Sequence, residues 1–355
     1  MITDTEIKEI RKILESSKNP LFLFDNDPDG LCSYLLLKRL IKRGKYTMIT
    51  GNLDSNYLSR VDYLKPDIIF VLDKSPIHQS FLDGLSVPVV WIDHHPLNKE
   101  LNYKDLKIFN PHLHNGGKDS FPTSYWCYKI AQQDLWIAMT GCINDWTIPD
   151  FSEEFIKQYP DLFSNKIKEP SKALFETLIG KLGITLFFCI KNKSSELKKI
   201  FNTLDKIESP YEITNETTSR GKLIVRESKY AGKYAEKIIE QALETKPDGN
   251  LIVFPYKTTK VSLSGFTSNY MLYKFPDKYV IIAIDTGEEM ICSFRAPASS
   301  KLNLPDIIGE ALEGLIGRFG GHSKSCGGNI SKQDFWIFID RFKKIINKKE
   351  ISFKY

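Results

Sequence analysis

Three carboxylates at alternate positions, directly after an apolar run, constrain this chain more than any other feature. Residues 21–24 are Leu-Phe-Leu-Phe, and Asp25-Asn26-Asp27-Pro28-Asp29-Gly30 follows. Four bulky apolar residues read as a buried strand. In an extended segment every second side chain shares a side, so Asp25, Asp27 and Asp29 crowd together. Like charges this close cannot all stay ionised unless positive charge sits among them. The simplest source is bound metal, and three carboxylates suggest more than one ion.

The surrounding pattern sets the fold class. Residues 21–24, 68–72 and 89–92 are near-continuous apolar runs, residues 46–50 read as a further strand, and residues 31–42 carry apolar side chains at helical spacing. Such alternation of strand and helix predicts an α/β fold with a doubly wound parallel sheet. In sheets of this kind, ligands bind in loops at the carboxyl ends of the strands. Residues 123–205 read as mainly helical. Polar residues around 208–221, with Pro210 among them, break the periodicity and suggest a linker. Beyond it, helices at 229–245, 304–316 and 335–346 alternate with strands at 251–255, 279–284 and 290–294, a smaller second α/β unit. The expected division is a first domain over 1–205, a linker region over 206–228 and a second domain over 229–355.

Composition narrows the class without fixing it. The chain has 355 residues, enough for two cores, and its net charge of +5 permits an anionic substrate. No apolar run reaches the ~18 residues that would span a bilayer. The polar N-terminus lacks a signal-peptide core, so no membrane role and a cytoplasmic location are expected. The six cysteines form no C-x-x-C pair, which argues against a zinc ribbon.

Further acids stand where the first three do. Residues 68–72 run into Asp73, residues 89–92 run into Asp93-His94-His95, and a helical stretch ends in Asn144-Asp145. Asp and His donors suit Mn²⁺, Mg²⁺ or Zn²⁺. Each has an ordinary reading alone, since an Asp can cap a helix and a His pair can be solvated. Their joint occurrence favours metal. In the second half, Gly317 to Gly328 includes Gly320-Gly321-His322 and Lys324. Glycines let a backbone approach a phosphate, and His322, Lys324 and the strand-ending Arg295 could bond its oxygens. Taken alone, this segment could equally be a tight turn.

These motifs, in this order, resemble the DHH phosphoesterase superfamily. Asp25–Gly30, Asp73, Asp93-His94-His95 and Asp145 match its successive motifs, and Gly320-Gly321-His322 resembles the motif of its DHH-associated C-terminal domain. The resemblance implies two divalent cations, Mn²⁺ first and Mg²⁺ as the alternative. Asp25, Asp27 and Asp73 would hold one, and Asp29, Asp73, His94 and Asp145 the other. Asp93 would orient the histidine pair and His95 would face substrate. Arg295, Gly320, Gly321, His322 and Lys324 would hold phosphate.

The Asp-x-Asp-x-Asp-Gly form is closer to RecJ-like members of that superfamily. The expected activity is therefore a metal-dependent exonuclease on single-stranded DNA or RNA, including short oligonucleotides. A nanoRNase, pAp phosphatase or cyclic-dinucleotide phosphodiesterase is the alternative. A silent replication scaffold is a third reading, disfavoured because such proteins lose metal ligands and every ligand position here is filled.

Overall fold

The computed structural model describes residues 1–97, 100–114 and 120–352. The chain divides into two compact units, Met1–Ser228 and Lys229–Tyr355. Among the described residues no single helix is long and apolar enough to cross a membrane.

The first unit is built on five parallel strands: β1 (Pro20–Asp25), β2 (Lys45–Ile49), β3 (Ile68–Leu72), β4 (Val89–Ile92) and β5 (Leu106–Phe109). Their order is β2-β1-β3-β4-β5. Side chains alternate between two cores. Phe22, Phe24, Phe70, Leu72, Val90 and Ile92 pack on one face, and Leu21, Leu23, Ile69, Val71, Val89 and Trp91 on the other. Both faces are apolar because helices cover both, which is why these strands read as unbroken hydrophobic runs. The expected doubly wound α/β class is therefore observed. Phe24 also stacks on Tyr34 at 4.8 Å and 10°, fixing the helix Pro28–Ile41 against β1.

The strand order places the ligand site. The chain leaves β1 for β2 on one side, then returns to β3 on the other. Connections diverge between β1 and β3, and the gap above their carboxyl ends is where folds of this order bind ligands. Asp25 closes β1 and Asp73 follows β3 directly.

Two expectations change. The stretch read as a linker over 206–228 is structured: it carries the helix Tyr211–Thr214 and the start of the helix Ser219–Leu243. Ile207, Ile213 and Ile224 are buried in the first unit's core. Three apolar anchors spread through polar sequence leave little periodicity, although each is fully packed. The second change is in the other unit, whose sheet runs β6-β7-β8-β10-β9. Its strands are β6 (Leu251–Lys257), β7 (Tyr279–Asp285), β8 (Glu289–Arg295), β9 (Gly317–Gly321) and β10 (Ser325–Ser331). The glycine-rich segment is thus an antiparallel hairpin within a mixed sheet, formed by two strands that the sequence reading did not include.

Candidate metal centre

The first-unit acids converge because each is fixed by its backbone. Asp27 caps the helix Pro28–Ile41, accepting from the Gly30 N–H at 2.9 Å, with Pro28 starting the helix. Gly30 has to be glycine, since a Cβ there would lie 2.7 Å from the Asp25 carbonyl oxygen. Asp73 sits in the left-handed region at φ 56°, which Asp tolerates better than most residues. Its N–H donates to the Ile92 carbonyl at 3.0 Å, so the turn is held by the neighbouring strand. Asp145 stands at the C-terminal end of the helix Leu135–Asn144. A carboxylate there faces the negative end of the helix dipole, an arrangement a cation would relieve.

Asp29 has a partner that sequence did not disclose. Its two carboxylate oxygens accept the backbone N–H groups of Thr123 (2.8 Å) and Ser124 (2.9 Å). These open the helix Thr123–Ala131, so the helix N-terminus that could have received a phosphate receives Asp29 instead. The Thr123 hydroxyl donates to Asp73 Oδ1 at 3.2 Å. Gly141 lets the next helix approach, because a Cβ there would lie 2.4 Å from Ser124 Oγ.

The histidines complete the cluster. His94 Nε2 lies 3.4 Å from Asp73 Oδ1 and 3.6 Å from Asp145 Oδ2. His95 Nδ1 lies 2.8 Å from Asp93 Oδ1 and 4.0 Å from Asp73 Oδ1. Two groups of donor atoms each fall within 4.8 Å of one another: Asp29, His94 and Asp145, and Asp73, His94 and His95. Asp25 and Asp27 belong to neither group. The Asp25 carboxylate instead takes the Lys74 ammonium at 2.8 Å. Lys191, at the end of the helix Leu178–Ile190, donates to the Asn26 carbonyl at 2.8 Å. Neither lysine is legible as a site residue, because their partners lie 49 and 165 positions away.

Electrostatics show what this crowding does. Burial, with Asp25 and Asp29 nearby, pushes Asp27 up to about 7. Burial and four neighbouring aspartates, Asp29 and Asp27 foremost, raise Asp73 well above the carboxylate range. Burial raises Asp145 to about 6, with His94 opposing and Asp29 adding to the rise. Burial alone would lower His95, but the charge and hydrogen bond of Asp93 outweigh it and carry the ring to about 9. Acids forced to hold protons near neutrality mark a site short of positive charge. Oxygen donors with imidazole suit Mn²⁺ or Mg²⁺, so the residues fit a divalent ion.

The second-unit candidates lie on and beside the hairpin. Gly320 faces Gly327 across it, and Gly321 faces Cys326. His322 and Ser325 close the turn, with the His322 N–H donating to the Ser325 carbonyl at 2.7 Å. Arg295 ends β8 opposite Ser325, and its guanidinium donates to Asn269 Oδ1 (2.5 Å) and the Phe294 carbonyl (2.8 Å). The Lys324 ammonium donates to the carbonyls of Ser300 and Leu302, anchoring a loop.

No protein-family model and no curated protein matches the sequence. Solved structures do. RecJ from Thermus thermophilus, solved with Mn²⁺, superposes with a TM-score of 0.70 at 13% identity, over 98% of this chain and 56% of its own. A DHH domain from a member of a family of ribosomal proteins superposes at 0.66, with 15% identity, over 96% and 89%. The chain shares the fold of these RecJ and DHH-domain structures. An exonuclease RecJ bound to manganese is also similar, at 0.57 and 14% identity over 96% and 94%. The chain spans little more than half the length of the Thermus RecJ. That RecJ has also been solved with Mg²⁺. On this DHH fold, Asp25, Asp73 and the Asp93-His94-His95 run stand at the carboxyl ends of β1, β3 and β4.

Proposed function

We propose that this protein is a divalent-cation-dependent phosphoesterase, and within that class a single-strand-specific exonuclease on DNA or RNA, short oligonucleotides included. The observation that carries the reading is the buried acid–histidine cluster at the β1/β3 switch point of a DHH fold. Asp25, Asp27 and Asp73 are proposed for one ion position, and Asp29, Asp73, His94 and Asp145 for the other, with Asp73 shared. Mn²⁺ is the preferred ion and Mg²⁺ the alternative, the ions with which the similar RecJ was solved. A divalent ion bound there supplies charge to the phosphoryl oxygens and makes water acidic near neutral pH.

The chain's own residues supply the rest. Asp93 fixes the His95 tautomer by taking Nδ1–H, which leaves Nε2 for the substrate. In the metal-free site the Asp93 carboxylate favours the protonated ring, pushed up to about 9. His95 is proposed to hand a proton to the leaving oxygen. Arg295, His322 and the Gly320-Gly321 backbone are proposed to hold phosphate oxygens. Such contacts read backbone and not base edges, so base sequence should matter little.

The test compares a linear single strand, its circular form, a blunt duplex and pAp under Mn²⁺. Opening a duplex end costs about 1.4 kcal/mol per step, and nothing in this sequence resembles a helicase motor that would drive it. Rapid loss of the linear strand alone is expected. Equal cleavage of circle and linear strand would refute the exonuclease reading. Rapid pAp hydrolysis with intact strands would move the assignment to a small-nucleotide phosphatase.

A further inference from the structure

The acids of this site do not meet their surroundings equally. At one side, Asp29, Asp73, His94 and Asp145 bring donor atoms together, and the bonds to their carboxylates come from backbone N–H groups, a hydroxyl and an imidazole. At the other, Asp25 is bonded to the ammonium of Lys74 at 2.8 Å, and Lys74 is 8% exposed. The chain turns sharply at Asp73, in the left-handed region, and the very next side chain is this lysine. A buried ammonium requires a carboxylate, and Asp25 is the one it reaches. Lys191 brings a second ammonium to the same motif through the Asn26 carbonyl, and its charge is felt by Asp27 and Asp25. Asp27 is meanwhile engaged by the Gly30 N–H.

We infer that the two ion positions are unequal, and that Lys74 makes them so: its ammonium holds Oδ1 of Asp25, so a divalent ion at Asp25 and Asp27 has to compete with it for that carboxylate. This rests on the divalent-cation reading proposed above. The position at Asp29, Asp73, His94 and Asp145 fills first and holds its ion. The second ion arrives against a cation already in place, and like charges at such separation oppose one another strongly where water is scarce. Entry is favoured when a substrate phosphate brings negative charge for the displaced ammonium to meet. Lys74 is therefore a positioning residue that makes completion of the site depend on substrate.

The experiment titrates Mn²⁺ alone into the metal-stripped full chain, by calorimetry and equilibrium dialysis, with a melting curve beside each titration. Wild type should take one tight ion and a second bound at least about tenfold more weakly. Lys74→Met should tighten the second ion by about tenfold and leave the first unchanged. Lys74→Arg, which keeps the cation, should retain the inequality. Asp25→Asn should lose the second ion only, and gives an independent reading should Lys74→Met fold poorly. Two ions of equal affinity in wild type, an unchanged second affinity in Lys74→Met, or no bound Mn²⁺ at all would each overturn the inference. Unequal binding in a protein that cleaves no phosphoester would refute the proposed activity and leave this inference standing.

Discussion

His95 Nδ1 lies 2.8 Å from Asp93 Oδ1, and Asp93 is completely buried. The same carboxylate accepts the His95 backbone N–H at 3.3 Å, so one acid fixes both the ring and the turn that presents it. Asp93 is therefore the charge that keeps His95 protonated. Asp93→Asn keeps the shape and removes that charge. The His95 titration midpoint, followed by NMR of the imidazole nitrogens, should fall from about 9 toward the ordinary histidine value, because burial then acts against less opposition. A midpoint that stays put would remove Asp93 from this role.

Asp29 makes a separate prediction, about stability. It satisfies two N–H groups at the start of the helix Thr123–Ala131 from within the core. Asp29→Ala leaves both unpaired, and an unsatisfied buried donor costs about 1–3 kcal/mol. The melting temperature should fall by about 2–4 °C for each kcal/mol lost. Asn should recover part of the loss, since its one carbonyl oxygen can still accept. A melting curve unchanged in Asp29→Ala would show that the helix start is satisfied some other way.

What is legible in the sequence follows from physical range. Strands β1, β3 and β4 are runs buried on both faces, so each is visible in a few adjacent residues, and the acids that follow them mark their ends. Strand β5 is harder to see because Leu106-Lys107-Ile108-Phe109 is a short strand at the edge, with Lys107 exposed. The hairpin of β9 and β10 is hidden because the five residues of β9 are exposed and three are glycine, which carries no strand signal. Within the site, the kinds of residue are legible and their partners are not. Asp29 is answered from 94 and 95 positions away, and Asp25 from 49. Such pairings arise from the parallel sheet bringing strand ends together, which local periodicity does not encode.

His322 separates substrate contact from metal binding. It belongs to the hairpin turn of the second unit, whereas all the proposed ligands lie in the first. His322→Ala should leave Mn²⁺ binding unchanged and raise KM or lower kcat by about tenfold or more, the loss expected for a charge-assisted bond to phosphate. Metal content and steady-state kinetics measured on one preparation decide it. Loss of Mn²⁺ from this variant would make His322 a ligand instead.

The crowded acids predict how the metal-free protein responds to pH. Asp27 titrates from an ordinary carboxylate value of 3.8 when unfolded to about 7 when folded, and Asp73 shifts in the same direction. Between those values the folded state binds more protons than the unfolded, so stability falls as pH rises through this window. His95, raised from 6.5 to about 9, extends the fall toward pH 9, since its stabilisation is lost as the folded ring gives up its proton. Divalent ions reverse the balance by taking the place of those protons, so saturating Mn²⁺ should stabilise most at high pH and flatten the curve. Melting curves from about pH 4.5 to 9, with and without Mn²⁺, test this. Asp27→Asn should show a shallower fall without metal, because it removes one titrating acid. Metal-free protein that instead gains stability from about pH 5 to 7 would show that these carboxylates do not repel one another as their packing requires.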